Sequence, residues 1–162
     1  MCGKTNLRIE VPIRNEKDRQ TYYGALDAST QEFIVQEYSA GNGENTVAFI
    51  EHLQKQRSGQ SLVLIWDGAS YHKSEAMKEF LAVVNAGKEA RRWPVRCILF
   101  APNAPEQNPV EDVWLRTKNF IRKYWLLCKS FSVVKWLFKF FTSHQHFDFP
   151  KLKQYTTRSK LN

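Results

Sequence analysis

The chain has 162 residues, 43% of them hydrophobic and 14% aromatic, so it can bury one sizeable core but not two. Its formal net charge of +8 is unevenly placed, because residues 1–111 carry −1 and residues 112–162 carry +9. The three cysteines lack the spacing of a disulfide framework or a zinc site, and no apolar run reaches the ~20 residues of a membrane-spanning helix. Composition therefore disfavours secreted disulfide-rich proteins and membrane proteins, and we expect one cytoplasmic globular unit.

The first predicted elements are extended strands. Residues 7–13 alternate apolar and polar side chains, as a half-buried strand does, and Pro12 favours an edge position. Residues 20–26 and 32–38 flank the turn sequence DASTQ. This pattern predicts an antiparallel hairpin.

Helices and strands alternate in the middle of the chain. Helical spacing of apolar residues predicts helices over 46–56 and 74–85. A continuous apolar run predicts a strand buried on both faces over 61–66, and a second buried strand is predicted over 95–100. Further helices are expected over 109–125 and 130–142. This order predicts an α/β fold with a mixed sheet, in which parallel strands are joined by right-handed crossovers. In such a sheet, ligands gather at the carboxyl ends of the parallel strands.

The stretch APNAPEQNPVEDVW, residues 101–114, places three prolines before a predicted helix. Asn108 suits the N-cap and Pro109 the first helical position. Glu111 then falls at the third position, where its carboxylate can reach back to the N–H of the cap. Taken alone, this pattern makes Glu111 an ordinary capping residue.

Asp67 follows the predicted central strand directly and precedes Gly68. An aspartate at this position is either a common turn residue or a carboxylate that binds a metal ion at the sheet edge. One helix, one loop and one strand separate it from the helix that carries Glu111. We therefore expect Asp67 and Glu111 to converge, with His72 beside the site near the start of the second helix.

These two segments carry a family resemblance. LVLIWDGASYHKS and LFAPNAPEQNPVEDVWLRTK resemble the second and third acidic blocks of DDE transposases, specifically the bacterial insertion-sequence group related to mariner elements, insertion sequence family six-thirty. The likeness covers roughly residues 19–125. It implies a ribonuclease-H-like fold and metal-dependent DNA cleavage and strand transfer in transposition. It also implies that three carboxylates hold two Mg²⁺ or Mn²⁺ ions, with Asp67 as the second ligand, Glu111 as the third, and His72 and Asn108 adjacent to the site.

The first aspartate of the family precedes the hairpin, on a strand that this chain begins too late to contain. Asp27 is expected at the opposite sheet edge, and Glu10 lies in a segment that resembles the part after that strand. We therefore expect an N-terminally truncated fold, with a partial catalytic domain over residues 1–144 and a basic tail over 145–162. A two-metal site is expected only with the upstream aspartate, and the chain alone is expected to be inactive.

Three interpretations follow for the whole protein. The upstream portion is supplied by frameshifting, so that the complete product is an enzyme. Alternatively, the chain is a catalytically dead remnant that acts only as a basic DNA-binding domain. In a third interpretation, it is an unrelated basic interaction domain whose motifs match by chance.

The predicted partner is DNA, at the element ends and at the target. We further expect a homodimer. The expected location is the cytoplasm, in association with the nucleoid. Lys118 and Arg122 share a helix face with Glu111, where they would contact phosphates. The alternative is a solvated charged face beside a core stripe of Val110, Trp114, Thr117 and Ile121. Trp93, which follows two arginines in the loop GKEARRWP, is either a core or interface aromatic or a base-stacking residue.

Overall fold

A computed structural model describes residues 17–101 and 108–143 of the chain. In chain order, the elements are β1 (Thr21–Leu26), β2 (Phe33–Tyr38), α1 (Gly43–Gln56), β3 (Leu62–Trp66), α2 (Glu75–Val84), β4 (Val95–Leu99), α3 (Pro109–Lys123) and α4 (Phe131–Ser143). Each predicted element in this part of the chain is confirmed. The predicted strand at 7–13 and the tail at 145–162 lie outside the described residues. No described helix has the length and apolar content to cross a membrane.

The strands form two ladders. β1 and β2 are an antiparallel hairpin, with Thr21 opposite Tyr38 and Leu26 opposite Phe33. β3 and β4 are parallel, in a register that runs from Leu62 opposite Val95 to Trp66 opposite Leu99. Among the described strands, the two ladders are not hydrogen-bonded to each other, so β1 and β3 each keep one edge without a described partner.

Two hydrophobic clusters form the core. In the first, α3 and α4 pack on the hairpin around Phe33, Val113 and Phe141. In the second, α1 and α2 cover one face of the parallel pair around Ile50, Met77 and Val95. The helix that carries Glu111 therefore belongs to the hairpin half of the molecule.

β3 is buried on one face only within the described part of the chain. Leu64 and Trp66 pack into the second cluster, whereas Val63 is 56% exposed and Ile65 is 55% exposed. The prediction that this strand is buried on both faces is therefore wrong for the described residues. The alternation of side chains along a strand explains the result, because α1 and α2 lie against one face and no described element covers the other.

Side-chain caps set the helix starts. The Asn42 side chain accepts from Asn45 N at 2.8 Å, so α1 begins at Gly43 rather than at the predicted Thr46. The Ser74 hydroxyl accepts from Met77 N at 3.4 Å and starts α2. Both caps satisfy backbone donors that the first helical turn cannot pair internally.

Gly24 lies where β1 and α3 come closest. A Cβ atom at this position would fall 2.5 Å from the Phe33 ring and 2.7 Å from Trp114, so Gly24→Ala must displace Trp114. We expect the variant to lower the free energy of unfolding by about 1–3 kcal/mol, measured by urea denaturation. Gly68→Ala is the matched control, because a Cβ at Gly68 would meet no heavy atom within 4 Å. Equal stability of the two variants would contradict this packing.

Candidate active site

Asp67 lies at the carboxyl end of β3, and the ladder continues to this edge through Phe100 N, which donates to Trp66 O at 2.8 Å. One carboxylate oxygen of Asp67 accepts from Ala69 N at 3.0 Å, which fixes the turn. The side chain is 58% exposed. Asp67 Oδ2 accepts no hydrogen bond from a described residue. Asp67 can therefore fix the turn through Oδ1 and still bind a ligand through Oδ2.

His72 is tied to Asp67. Its Nδ1 lies 3.1 Å from the Asp67 carbonyl oxygen and 3.4 Å from Asp67 Oδ1. Because both partners are acceptors, Nδ1 must carry the hydrogen. The ring stacks on Trp66 with centroids 4.1 Å apart, and the side chain is only 11% exposed. His72 thus orients the loop that carries Asp67.

A chain of aromatic contacts links this loop to the hairpin. Tyr71 meets His72 edge-on, with ring centroids 4.6 Å apart, and meets Tyr23 of β1 at 6.2 Å. The Tyr23 hydroxyl donates to Asn42 O at 3.0 Å at the start of α1. Burial raises the pKa of Tyr71, and the negative charge of Asp67 adds to this effect. These contacts hold the hairpin beside the Asp67 loop without a ladder between them.

Glu111 lies in the first turn of α3. The Asn108 side chain accepts from Val110 N at 3.2 Å and Pro109 occupies the first turn, so the predicted cap is confirmed. The Glu111 carboxylate is exposed and makes no hydrogen bond or ion pair with a described residue. The return bond of a capping box, from Asn108 N to Glu111, is therefore not formed. The backbone of the turn is closed by Glu111 N, which donates to Asn108 O at 3.1 Å, and the Glu111 side chain stays available.

α3 is anchored on the hairpin by its buried face. Trp114 packs edge-on against Phe33, with ring centroids 5.2 Å apart. Val113 and Thr117 are fully buried, and the Thr117 hydroxyl donates to Val113 O at 2.7 Å. The predicted stripe omitted Val113, which packs with Phe33 of the hairpin and Phe141 of α4. Helical spacing could have identified it, because Val113 lies three residues after Val110 and four before Thr117, on the same face.

Lys118 and Arg122 are both exposed on α3. Lys118 borders a cavity of about 200 Å³ that Tyr22, Trp114 and Phe138 also line. Arg122 Nη1 donates to Asn119 Oδ1 at 3.2 Å. Neither cation has a carboxylate partner among the described residues, so both are available to an anionic ligand.

Asp27 closes the hairpin turn. Its Oδ1 accepts from Ser29 N at 2.8 Å and from Thr30 N at 3.1 Å, and its Oδ2 accepts from Arg57 Nε at 3.0 Å. Burial alone would raise the pKa of this carboxyl, but the hydrogen bonds from Ser29, Thr30 and Arg57 outweigh it and hold the pKa well below its usual range. Both carboxylate oxygens are thus occupied in the turn.

The convergence of Asp67 and Glu111 stays a prediction. β3 and β4 are parallel, so the chain leaves β4 at the edge where Asp67 lies and enters α3 after residues 100–108. Within residues 17–101 and 108–143, no group of three or more His, Cys, Asp and Glu side chains is placed to hold a metal ion. Among the described residues, Asp67 and Glu111 therefore lie on separate elements and are not part of a preformed cluster of three ligands.

Asp67 at the carboxyl end of a parallel strand and Glu111 at a helix start are thus the two candidate metal-binding carboxylates of this α/β fold. The model of the DDE superfamily endonuclease family matches residues 3–130, and the chain belongs to this family. No curated protein matches it. Among solved structures, it is similar to the catalytic core domain of BIV integrase, with a TM-score of 0.52 and 12% identity over 88% of this chain and 91% of that one. This likeness confirms the ribonuclease-H-like fold.

Proposed function

We propose that this chain is part of the catalytic domain of a DDE transposase, from the bacterial insertion-sequence group related to mariner elements, that cleaves DNA and transfers strands. The observation that carries the proposal is that two carboxylates, of Asp67 and Glu111, are available to bind a metal ion in a chain of the DDE superfamily endonuclease family. Asp67 follows β3 and keeps one oxygen without a described partner. Glu111 lies in the first turn of a capped helix, and its exposed carboxylate makes no hydrogen bond or ion pair within the described residues.

The donor set suits Mg²⁺ or Mn²⁺, which prefer hard oxygen ligands. Asp67 and Glu111 would hold the metal, with His72 and Ala69 fixing the Asp67 loop and Asn108 fixing the start of α3. When bound, a pair of such ions activates the attacking oxygen and stabilises the leaving oxygen of a phosphoryl displacement. The protein contributes rigid placement, since a ligand displaced by about 1 Å is costly.

We further propose that the third carboxylate lies outside the described residues. Asp27 is occupied by Arg57 and the turn, so it does not complete the set. The open edges of β1 and β3 are what a further strand between the hairpin and the parallel pair would require. A strand encoded upstream and joined by frameshifting would supply both the missing ladder and its aspartate.

Metal-dependent cleavage tests this proposal. We expect the 162-residue chain to nick a supercoiled plasmid or a labelled duplex of the element end very weakly in Mg²⁺ or Mn²⁺. The chain extended at its amino terminus by the sequence encoded upstream should cleave efficiently, because it completes the ligand set. Robust cleavage by the short chain would contradict a third ligand that is encoded upstream. No cleavage by a folded extended chain would favour the alternative function, a DNA-binding remnant.

DNA binding should depend strongly on salt, because phosphate contacts release counterions. Lys135 and Lys139 pair with Glu37 at 2.9 and 2.7 Å, so only part of the positive charge after residue 112 is available. We expect replacement of both Lys118 and Arg122 by alanine to reduce the slope of log affinity against log salt by about two.

In the control variant, Lys17 and Lys55 are both replaced by alanine. Both lysines are exposed, and their replacement removes the same amount of positive charge. The salt slope of this control should stay close to that of the original chain. An unchanged slope in the Lys118 and Arg122 variant, measured by fluorescence anisotropy on a duplex, would remove these two residues from the interface.

A further inference from the structure

The loop between α2 and β4 lies at the other end of the parallel pair from Asp67. It leads into the amino end of β4, whereas Asp67 follows the carboxyl end of β3, and the two strands run parallel over five residue pairs. At about 3.3 Å per residue, the strand length separates the two ends by roughly 16 Å. A ligand in this loop would therefore be remote from the proposed metal site.

This loop is held in place by specific hydrogen bonds. The Asn85 side chain donates to Val95 O at 2.9 Å and accepts from Val95 N at 3.3 Å, as a neighbouring strand would. Trp93 Nε1 donates to Lys88 O at 3.1 Å, and the Arg96 guanidinium donates to Ala90 O. A charged loop that was merely solvated would not need these bonds. They fix the conformation of this loop before any ligand binds.

The charges on the loop are unbalanced. Residues 87–96 carry four arginines and lysines against one glutamate. That glutamate, Glu89, pairs with Arg91 at 2.7 Å. Among the described residues, no carboxylate pairs with Lys88, Arg92 or Arg96. The surface therefore offers three cations to an anionic ligand.

A cavity of about 450 Å³ opens beside two of these cations, Lys88 and Arg96. Lys88, Trp93 and Arg96 line it together with apolar side chains that include Leu81 and Cys97. Trp93 is 38% exposed, and its Nε1 bond fixes the position of the ring. Burial raises the pKa of the Cys97 thiol to about 11, so this wall stays uncharged at neutral pH. The cavity thus combines a fixed aromatic ring, an apolar wall and a cationic rim.

We propose that this cavity binds a nucleotide of single-stranded DNA, with the base against Trp93 and the adjoining phosphates on Lys88 and Arg96. An aromatic ring bordered by cations is the combination that binds single strands, since every unpaired base can stack and every phosphate attracts a cation. A paired base within a duplex presents no free face to Trp93. The site anchors a strand away from the metal site, and it requires no metal.

Binding of a labelled dT10 oligonucleotide without divalent metal tests the inference. We expect dT10 to bind the full chain more tightly than a ten-base-pair duplex at the same salt. Trp93→Ala should weaken dT10 binding at least about fivefold, the lower limit for the loss of one stacked base. Trp93→Phe should weaken it less, because a ring remains.

Charge variants in the same loop complete the experiment. Lys88→Ala should reduce the salt slope for dT10 by about 0.7, the value for one phosphate contact with a single strand. The matched control Arg91→Ala should change it little, because Glu89 already neutralises Arg91. Circular dichroism checks that each variant is folded.

Unchanged dT10 affinity in a folded Trp93→Ala variant would overturn the inference, as would equal weakening on dT10 and duplex. Competition by dTMP as effective per mole as that by unlabelled dT10 would overturn the assignment to a strand. Because the assay contains no metal, its outcome is independent of whether Asp67 and Glu111 support cleavage.

Discussion

Glu111→Gln is expected to reduce metal-dependent DNA cleavage by more than about 100-fold in the chain extended by its upstream sequence. Loss of a partner that only orients a metal ligand commonly costs 10–100-fold, so loss of a ligand itself should cost more. Glutamine keeps the size and the helix start but removes the negative charge that holds a divalent cation. Asp67→Asn should have an effect of the same size, since both residues are proposed ligands of one site.

Asp112 provides the control for Glu111. It is the next residue in the first turn of α3, and it is also exposed and acidic. Asp112→Asn changes the charge near the helix dipole by the same amount, so a purely electrostatic role of the first turn would affect both variants alike. We expect cleavage by Asp112→Asn to stay close to that of the unchanged protein. Similar losses in the two variants would contradict a ligand role for Glu111.

Met77→Ala is expected to lower the free energy of unfolding by about 2–5 kcal/mol. Met77 is 1% exposed, and it packs with Ile50 and Val95 where α1 and α2 meet the parallel strands. Truncation removes the Cγ methylene, the sulfur atom and the terminal methyl group, and it leaves a cavity that fixed neighbours cannot fill. Because α2 follows the Asp67 loop directly, this is the largest single-residue effect that we expect on the half of the molecule that carries Asp67.

Urea denaturation, followed by circular dichroism, measures this effect. Val83→Ala on the same helix is the control, because Val83 is 77% exposed and loses little burial. Its stability should change by less than about 0.5 kcal/mol, as is usual for surface substitutions. A Met77→Ala variant as stable as the Val83→Ala variant would show that α2 is not packed on the strands as described.

Local patterns in the sequence determined the elements of this fold. Alternating side chains around DASTQ predicted the hairpin, and Asn108 with Pro109 predicted where α3 begins, because caps and turns depend on neighbouring residues. The position of Asp67 at the end of a strand was predicted for the same reason. The order of the elements predicted the parallel pairing of β3 with β4, since a helical crossover joins parallel strands.

Only the tertiary structure decided what those residues contact. Val113 is buried between Phe33 of β2 and Phe141 of α4, and the spacing within α3 does not say which elements cover it. The second face of β3 is exposed among the described residues because its helices pack on one side. Asp27 pairs with Arg57, thirty residues away in sequence. The capping pattern predicted that the Glu111 carboxylate would bond to the N-cap of its own helix, but this bond is not formed. Burial and charge pairing depend on contacts between segments that are distant in sequence, so a local pattern cannot predict them.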